Sequence, residues 1–222
     1  MPFETRSAHR DEVELTMLKY IAILSLISCS AAAHAQTYNG IQERNSISYR
    51  TSTEFSSACR TDIATGASLW NTSGANIAFS NAGTYSTRVG RTKTSTTSVE
   101  PGPLIPEVPA NAAAFTDREY TTYDYSKSLW KFRNFNIIFN ETMIASGNFY
   151  CGPVSKTGQG ATPANTLYLL DVVSHEFGHG IGLDHDNAVY PTMMYSPNYT
   201  TYAIRYLSSR DKNGAITLMG PK

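Results

Sequence analysis

The hydrophobic positions of this chain change period several times, and each change predicts an element. From Ile47 to Thr53, Ile, Tyr and Thr form a strand-like stretch. Residues 62–72 place Ile63, Ala67 and Trp70 at helical spacing, with Thr61 or Asp62 available as the cap. Ile77-Ala-Phe79 reads as a short strand, and Trp130 to Phe139 returns to strand character. Asn165 to Ile181 predicts a helix whose Leu167, Leu170, Val173 and Phe177 supply apolar contacts. Between these, Thr92 to Ser98 is a polar Ser/Thr run, and residues 101–109 hold four prolines. Together they predict an exposed loop on the rim of one domain, since too little chain follows for a second large core. No internal repeat is visible.

Candidate chemistry lies at the end of the predicted helix, where residues 175–185 read His-Glu-Phe-Gly-His-Gly-Ile-Gly-Leu-Asp-His. His175 and His179 are four residues apart, so on a helix they share a face one turn apart and can grip one metal ion. Glu176 is placed beside the metal as a general base and not as a ligand. Gly182 tolerates the left-handed backbone that ends a helix, and the turn returns His185 as a third nitrogen ligand. Three protein ligands leave a fourth zinc position for water, which is how a catalytic site differs from a closed structural one.

This segment resembles the metzincin signature, H-E-x-x-H-x-x-G-x-x-H followed by a Met-turn. The turn candidate is Pro191-Thr192-Met193-Met194-Tyr195, where either Met193 or Met194 would form the floor beneath the ligands. Asp62–Phe79 is similar to the first helix and following strand of matrixin catalytic domains, Phe135–Asn140 to their central strand, and Leu207–Gly220 to their final helix. Asp186 after the third ligand departs from the matrixin pattern towards the adamalysins, so the resemblance is matrixin-like. It implies an α+β fold: a twisted, mostly parallel sheet of about five strands, an active-site helix and a C-terminal helix. It also implies one catalytic Zn2+ on His175, His179 and His185, with Glu176 as catalytic base. The substrate would be a protein or peptide lying as an extended strand along the sheet edge, and Tyr195 would either support the oxyanion or only pack in the turn. A matrixin cysteine-switch segment is not present. Calcium remains possible, but residues 142–170 contain no Asp or Glu to form an acidic loop for it.

At the amino end, Tyr20–Ser28 is a short apolar run after Lys19, and Ala33-His34-Ala35 is an A-x-A cleavage site. Residues 1–35 therefore read as a signal peptide with its true start at Met17 and cleavage after Ala35, leaving 36–222 as a single catalytic domain. The expectation is a secreted or periplasmic protein. The competing reading takes Leu26-Ile27-Ser28-Cys29 as a lipobox, with lipid anchoring through Cys29. After cleavage only Cys59 and Cys151 remain, and an even count in an oxidising compartment favours a disulfide between them over two buried thiols.

Eighteen basic and eighteen acidic residues balance to zero net charge. With no basic stripe or acidic tail, nucleic acid and anionic membrane are excluded as expected partners. No segment is long enough to be a permanent transmembrane helix. The reading is a monomeric, exported zinc endopeptidase. The alternative is a non-catalytic, zinc-stabilised binding protein of the same fold, and Glu176 separates the two, since a structural zinc has no use for a neighbouring base.

Overall fold

The computed structural model describes residues 38–89, 96–152, 166–187, 192–195 and 206–222, all within the unit Gln36–Lys222. The proposed signal segment lies outside the described residues. Six strands make the main sheet: β1 (Ile41–Gln42), β2 (Ser46–Ser52), β3 (Ala78–Tyr85), β4 (Thr97–Gly102), β5 (Ala114–Asp124) and β6 (Leu129–Asn140). Their order is β1-β6-β4-β2-β3, with β5 on β6. Every pairing is parallel except β5 with β6, which is antiparallel. β1 and β4 meet different stretches of β6, at Lys131–Phe132 and at Asn136–Asn140. The expected mixed fold with a mostly parallel sheet is therefore present, with six strands where about five were predicted.

β2 alternates as a half-buried strand should, with Ile47, Tyr49 and Thr51 inside. The rim loop expected over 92–98 and 101–109 is corrected in part. Thr97–Gly102 is a strand in the sheet interior, buried at every residue. Its polar composition hid it, but its polar groups are paired within the sheet. Ser98 Oγ donates to Asn136 Oδ1 at 2.8 Å, while Glu100 accepts from Tyr85 Oη and the Val89 N–H, each at 2.7 Å. Pro101 lies past the Thr97–Val99 stretch that pairs with β2, so its missing N–H costs no bond on that side. Residues 92–95 lie outside the described residues.

Helix α1 spans Ser57–Asn71, beginning five residues before the predicted start. The cap is Ser56, whose Oγ accepts the Cys59 N–H at 3.2 Å; Thr61 and Asp62 are interior. Asp62 instead accepts the Gly152 N–H at 3.0 Å, beside the Cys59–Cys151 disulfide that the cysteine count anticipated. A short α2 (Glu141–Ala145) follows β6, and β7 (Phe149–Tyr150) pairs with β8 (Leu167–Tyr168). That pairing delays the start of the long apolar helix, α3, to Leu169–Ile181. The final helix, α4, covers Ser209–Met219 behind a capping box of Ser208 and Asp211.

α3 lies against both the sheet and α1. Phe177 is fully buried, its ring 5.3 Å from Tyr49, 4.9 Å from Phe79 and 6.2 Å from Phe135. Trp70 Nε1 donates to Ser174 O at 2.7 Å, tying α1 to the turn that carries His175. This packing buries the apolar side of α3 and fixes its rotation, so the remaining side presents the histidines.

Candidate metal centre

α3 sets His175 and His179 a turn apart, as their four-residue spacing requires. The helix then stops at Gly182, whose φ of 109° is left-handed. A Cβ there would stand 2.1 Å from Gly40 O, so both conformation and space demand glycine. The chain turns through Leu183 and Asp184 and brings His185 back to the pair. The ligand atoms of His175, His179 and His185 all lie within 4.8 Å of one another.

Hydrogen bonds prepare two of these rings as ligands. His175 Nδ1 is 2.8 Å from Met193 O, and His179 Nδ1 is 2.8 Å from Leu183 O. A carbonyl only accepts, so each Nδ1 carries the proton and each Nε2 keeps its lone pair. Burial, with His185 nearby, lowers the His175 pKa to about 3. Burial, then His175 and Arg118, holds His179 well below its usual value, and burial and Arg118 also lower His185. Neutral imidazole is the metal-binding form. His179 Nε2 stands 3.3 Å from His185 Nε2. Facing lone pairs at that distance repel unless a proton or cation lies between them. Two nitrogens on a tetrahedral zinc, with Zn–N near 2.0–2.1 Å, are about 3.3–3.4 Å apart. The donor set fits zinc.

Glu176 is only 5% exposed and lines the same cleft of about 870 Å³ as the three histidines. Thr116 Oγ1 donates to Glu176 Oε2 at 2.6 Å. Burial pushes the Glu176 pKa up to about 7, against the opposing pull of the Thr116 hydrogen bond and the Arg118 charge. Arg118 is two residues along β5, its Nε donating to His179 O at 2.9 Å and its guanidinium 5.3 Å above the Phe132 ring. Neither residue was singled out from the sequence. The Thr/Tyr-rich strand that holds them carries little apolar signal, and its role comes only from pairing with β6.

Beneath the histidines, both candidate methionines are buried, and they divide the work. Met193 supplies the carbonyl that orients His175. Met194 packs its sulfur under α3, 2.3 Å from where a Gly178 Cβ would stand. Asp211 of α4 accepts the Met193 and Met194 N–H groups at 3.0 and 3.2 Å, holding the turn. Asp186, next to His185, is buried and forms a two-point ion pair with Arg210, at 2.6 Å to Nε and 3.0 Å to Nη2. Tyr195 follows the turn, half-buried.

No protein-family model and no curated protein matches the chain. Among solved structures, it is similar to High choriolytic enzyme 1, a hatching enzyme zinc-protease from Oryzias latipes (Medaka fish), at 12% identity and a TM-score of 0.42. That match covers 83% of this chain and 95% of the other. At that level of likeness, the reading of the site stands on this chain's own residues.

Proposed function

We propose that this chain is a zinc-dependent endopeptidase in which His175, His179 and His185 hold the metal and Glu176 is the catalytic base. The observation that carries the reading is the convergence of three neutral imidazoles and one buried carboxylate on a single cleft. A zinc ion bound there supplies Lewis acidity and makes a water nucleophile accessible at neutral pH. Glu176 takes the proton from the attacking water and passes it to the amine nitrogen that leaves. Thr116 donates to its Oε2, which leaves Oε1 open to take the proton. The Thr116 hydrogen bond holds the carboxylate in place, and the buried setting raises its basicity.

The outer edge of β5 supports a substrate lying as an extended strand. Among the described strands β5 pairs with β6 alone, leaving its other edge beside the cleft. We assign residues 36–222 as the catalytic domain and 1–35 as a signal peptide of an exported protein. A disulfide is compatible with that compartment, and no helix among the described residues is long and apolar enough to cross a membrane. A casein or gelatin zymogram with the zinc-loaded protein tests the reading. Clearing that a chelator abolishes and added zinc restores is the expected result. Zinc retained at one equivalent without any hydrolysis would favour the non-catalytic alternative.

A further inference from the structure

Arg118 does more than support α3. Its Nε donor and its stacking on Phe132 are accounted for by structure, and a cation near the last turn of a helix is favourable by itself. One further donor of the fork is not accounted for. Nη2 is buried without a hydrogen-bond partner, and no carboxylate among the described residues is in ion-pair contact with the guanidinium. A desolvated donor left empty is costly, and a planar fork is shaped for a carboxylate. Arg118 also lines the cleft that holds the histidines and Glu176.

Building on the endopeptidase reading, we propose that Arg118 determines specificity by taking a carboxylate of the bound substrate. Position along β5 gives the address. Thr116 marks the catalytic carboxylate, and Arg118 is two residues further on the same face of the strand, roughly 6.7 Å away. An extended substrate has the same rise. The carboxylate therefore belongs to a residue about two positions from the peptide bond that is cut. It comes from an Asp or Glu side chain, or from the free carboxyl end of a short peptide.

The test uses the full zinc-loaded protein and internally quenched peptides with blocked ends, carrying Glu, Gln or Lys in turn at the three positions on each side of the cut. Matched peptides with free and amidated C-termini form the second arm. Charge-assisted hydrogen bonds predict a Glu-over-Gln ratio in kcat/KM of roughly ten- to hundredfold at one position about two residues from the bond. In Arg118→Gln that ratio should fall to about one, and in Arg118→Glu the preference should turn to Lys. A preference confined to free C-termini would assign the same guanidinium to chain ends. Binding of the same peptides to zinc-loaded Glu176→Gln, followed by fluorescence anisotropy, reads the ratio without turnover. If no peptide is cut by the wild-type protein, the endopeptidase reading fails, and the anisotropy ratio still decides the role of Arg118. Equal binding and cleavage of Glu and Gln peptides at every position, and of free and amidated ends, would overturn the assignment.

Discussion

Thr116 on the outer strand and Glu176 on α3, sixty residues apart in the chain, are joined by a 2.6 Å hydrogen bond between hydroxyl and carboxylate. The bond couples the sheet edge, where substrate is proposed to lie, to the group proposed to move the proton. It also holds down the pKa that burial raises.

Replacing Glu176 with Gln removes a base while keeping nearly the same shape. Zinc content and fold should be unchanged, and turnover should fall by roughly a hundred- to ten-thousandfold. Metal analysis beside steady-state kinetics checks this. Near-normal turnover would require another proton acceptor.

Thr116→Val should lower turnover by roughly ten- to a hundredfold, the value of one hydrogen bond to a charged group. The same change should move the acid limb of the pH–rate profile to higher pH. The hydroxyl donates to the charged carboxylate and lowers its pKa, so losing the donor raises that pKa. A profile that kept its shape while the rate fell would show that Thr116 acts only in packing.

Metal-free protein should lose stability on acidification. His175 has a folded pKa of about 3 against an ordinary 6.5, so below pH 6.5 the unfolded chain takes up a proton that the folded chain refuses. Stability therefore falls as pH drops through that window, and the lowered pKa values of His179 and His185 add in the same direction. Glu176 opposes them between its ordinary 4.5 and about 7, one group against three. The melting temperature of chelator-treated protein should be higher at pH 8 than at pH 5.5. An unchanged or rising value on acidification would contradict the neutral-imidazole assignment.

Asp211→Ala should both destabilise the protein and loosen the metal. Its carboxylate satisfies the Met193 and Met194 N–H groups as well as the Ser208 backbone and hydroxyl. Orphaning the two buried donors predicts a loss of about 3 kcal/mol or more by denaturant unfolding. Because Met193 O orients His175, zinc affinity should drop by roughly ten- to a hundredfold in a competitive chelator titration. Unaltered affinity would mean that the turn keeps its shape without α4.

Reduction of the Cys59–Cys151 bond opens a loop with a sequence separation of 92 residues. The chain-entropy model puts the loss at about 4–5 kcal/mol, and differential scanning calorimetry should show a melting temperature lowered by roughly 10 °C. Thiol titration of denatured, unreduced protein should find neither cysteine reactive.

What the sequence made legible was whatever one local segment encodes. His175, Glu176, His179, Gly182 and His185 form a run in which helix geometry and one left-handed residue determine most of the arrangement. β2, β6 and α3 carry strong apolar patterns and were found near their expected places. β4 was missed because its buried positions are Thr, Ser and Glu, whose burial depends on partners in β3, β6 and the Val89 segment. Thr116 and Arg118 were missed for a related reason. Their partners are on α3, and only the antiparallel return of β6 decides that β5 faces it. Asp211 is the same case at longer range, a cap residue that also serves a turn in another segment.

An open strand edge beside the proposed peptide-cutting centre is as available to a second copy of the chain as to a substrate. The middle of β5 reads Asp117-Arg118-Glu119. If two copies paired antiparallel about Arg118, that residue would face its own twin, and each Asp117 would face the other chain's Glu119. All three contacts would be between like charges, which directly opposed strands do not tolerate. In that register the order of three charges disfavours pairing with a second copy, while leaving the edge open to a strand of different sequence.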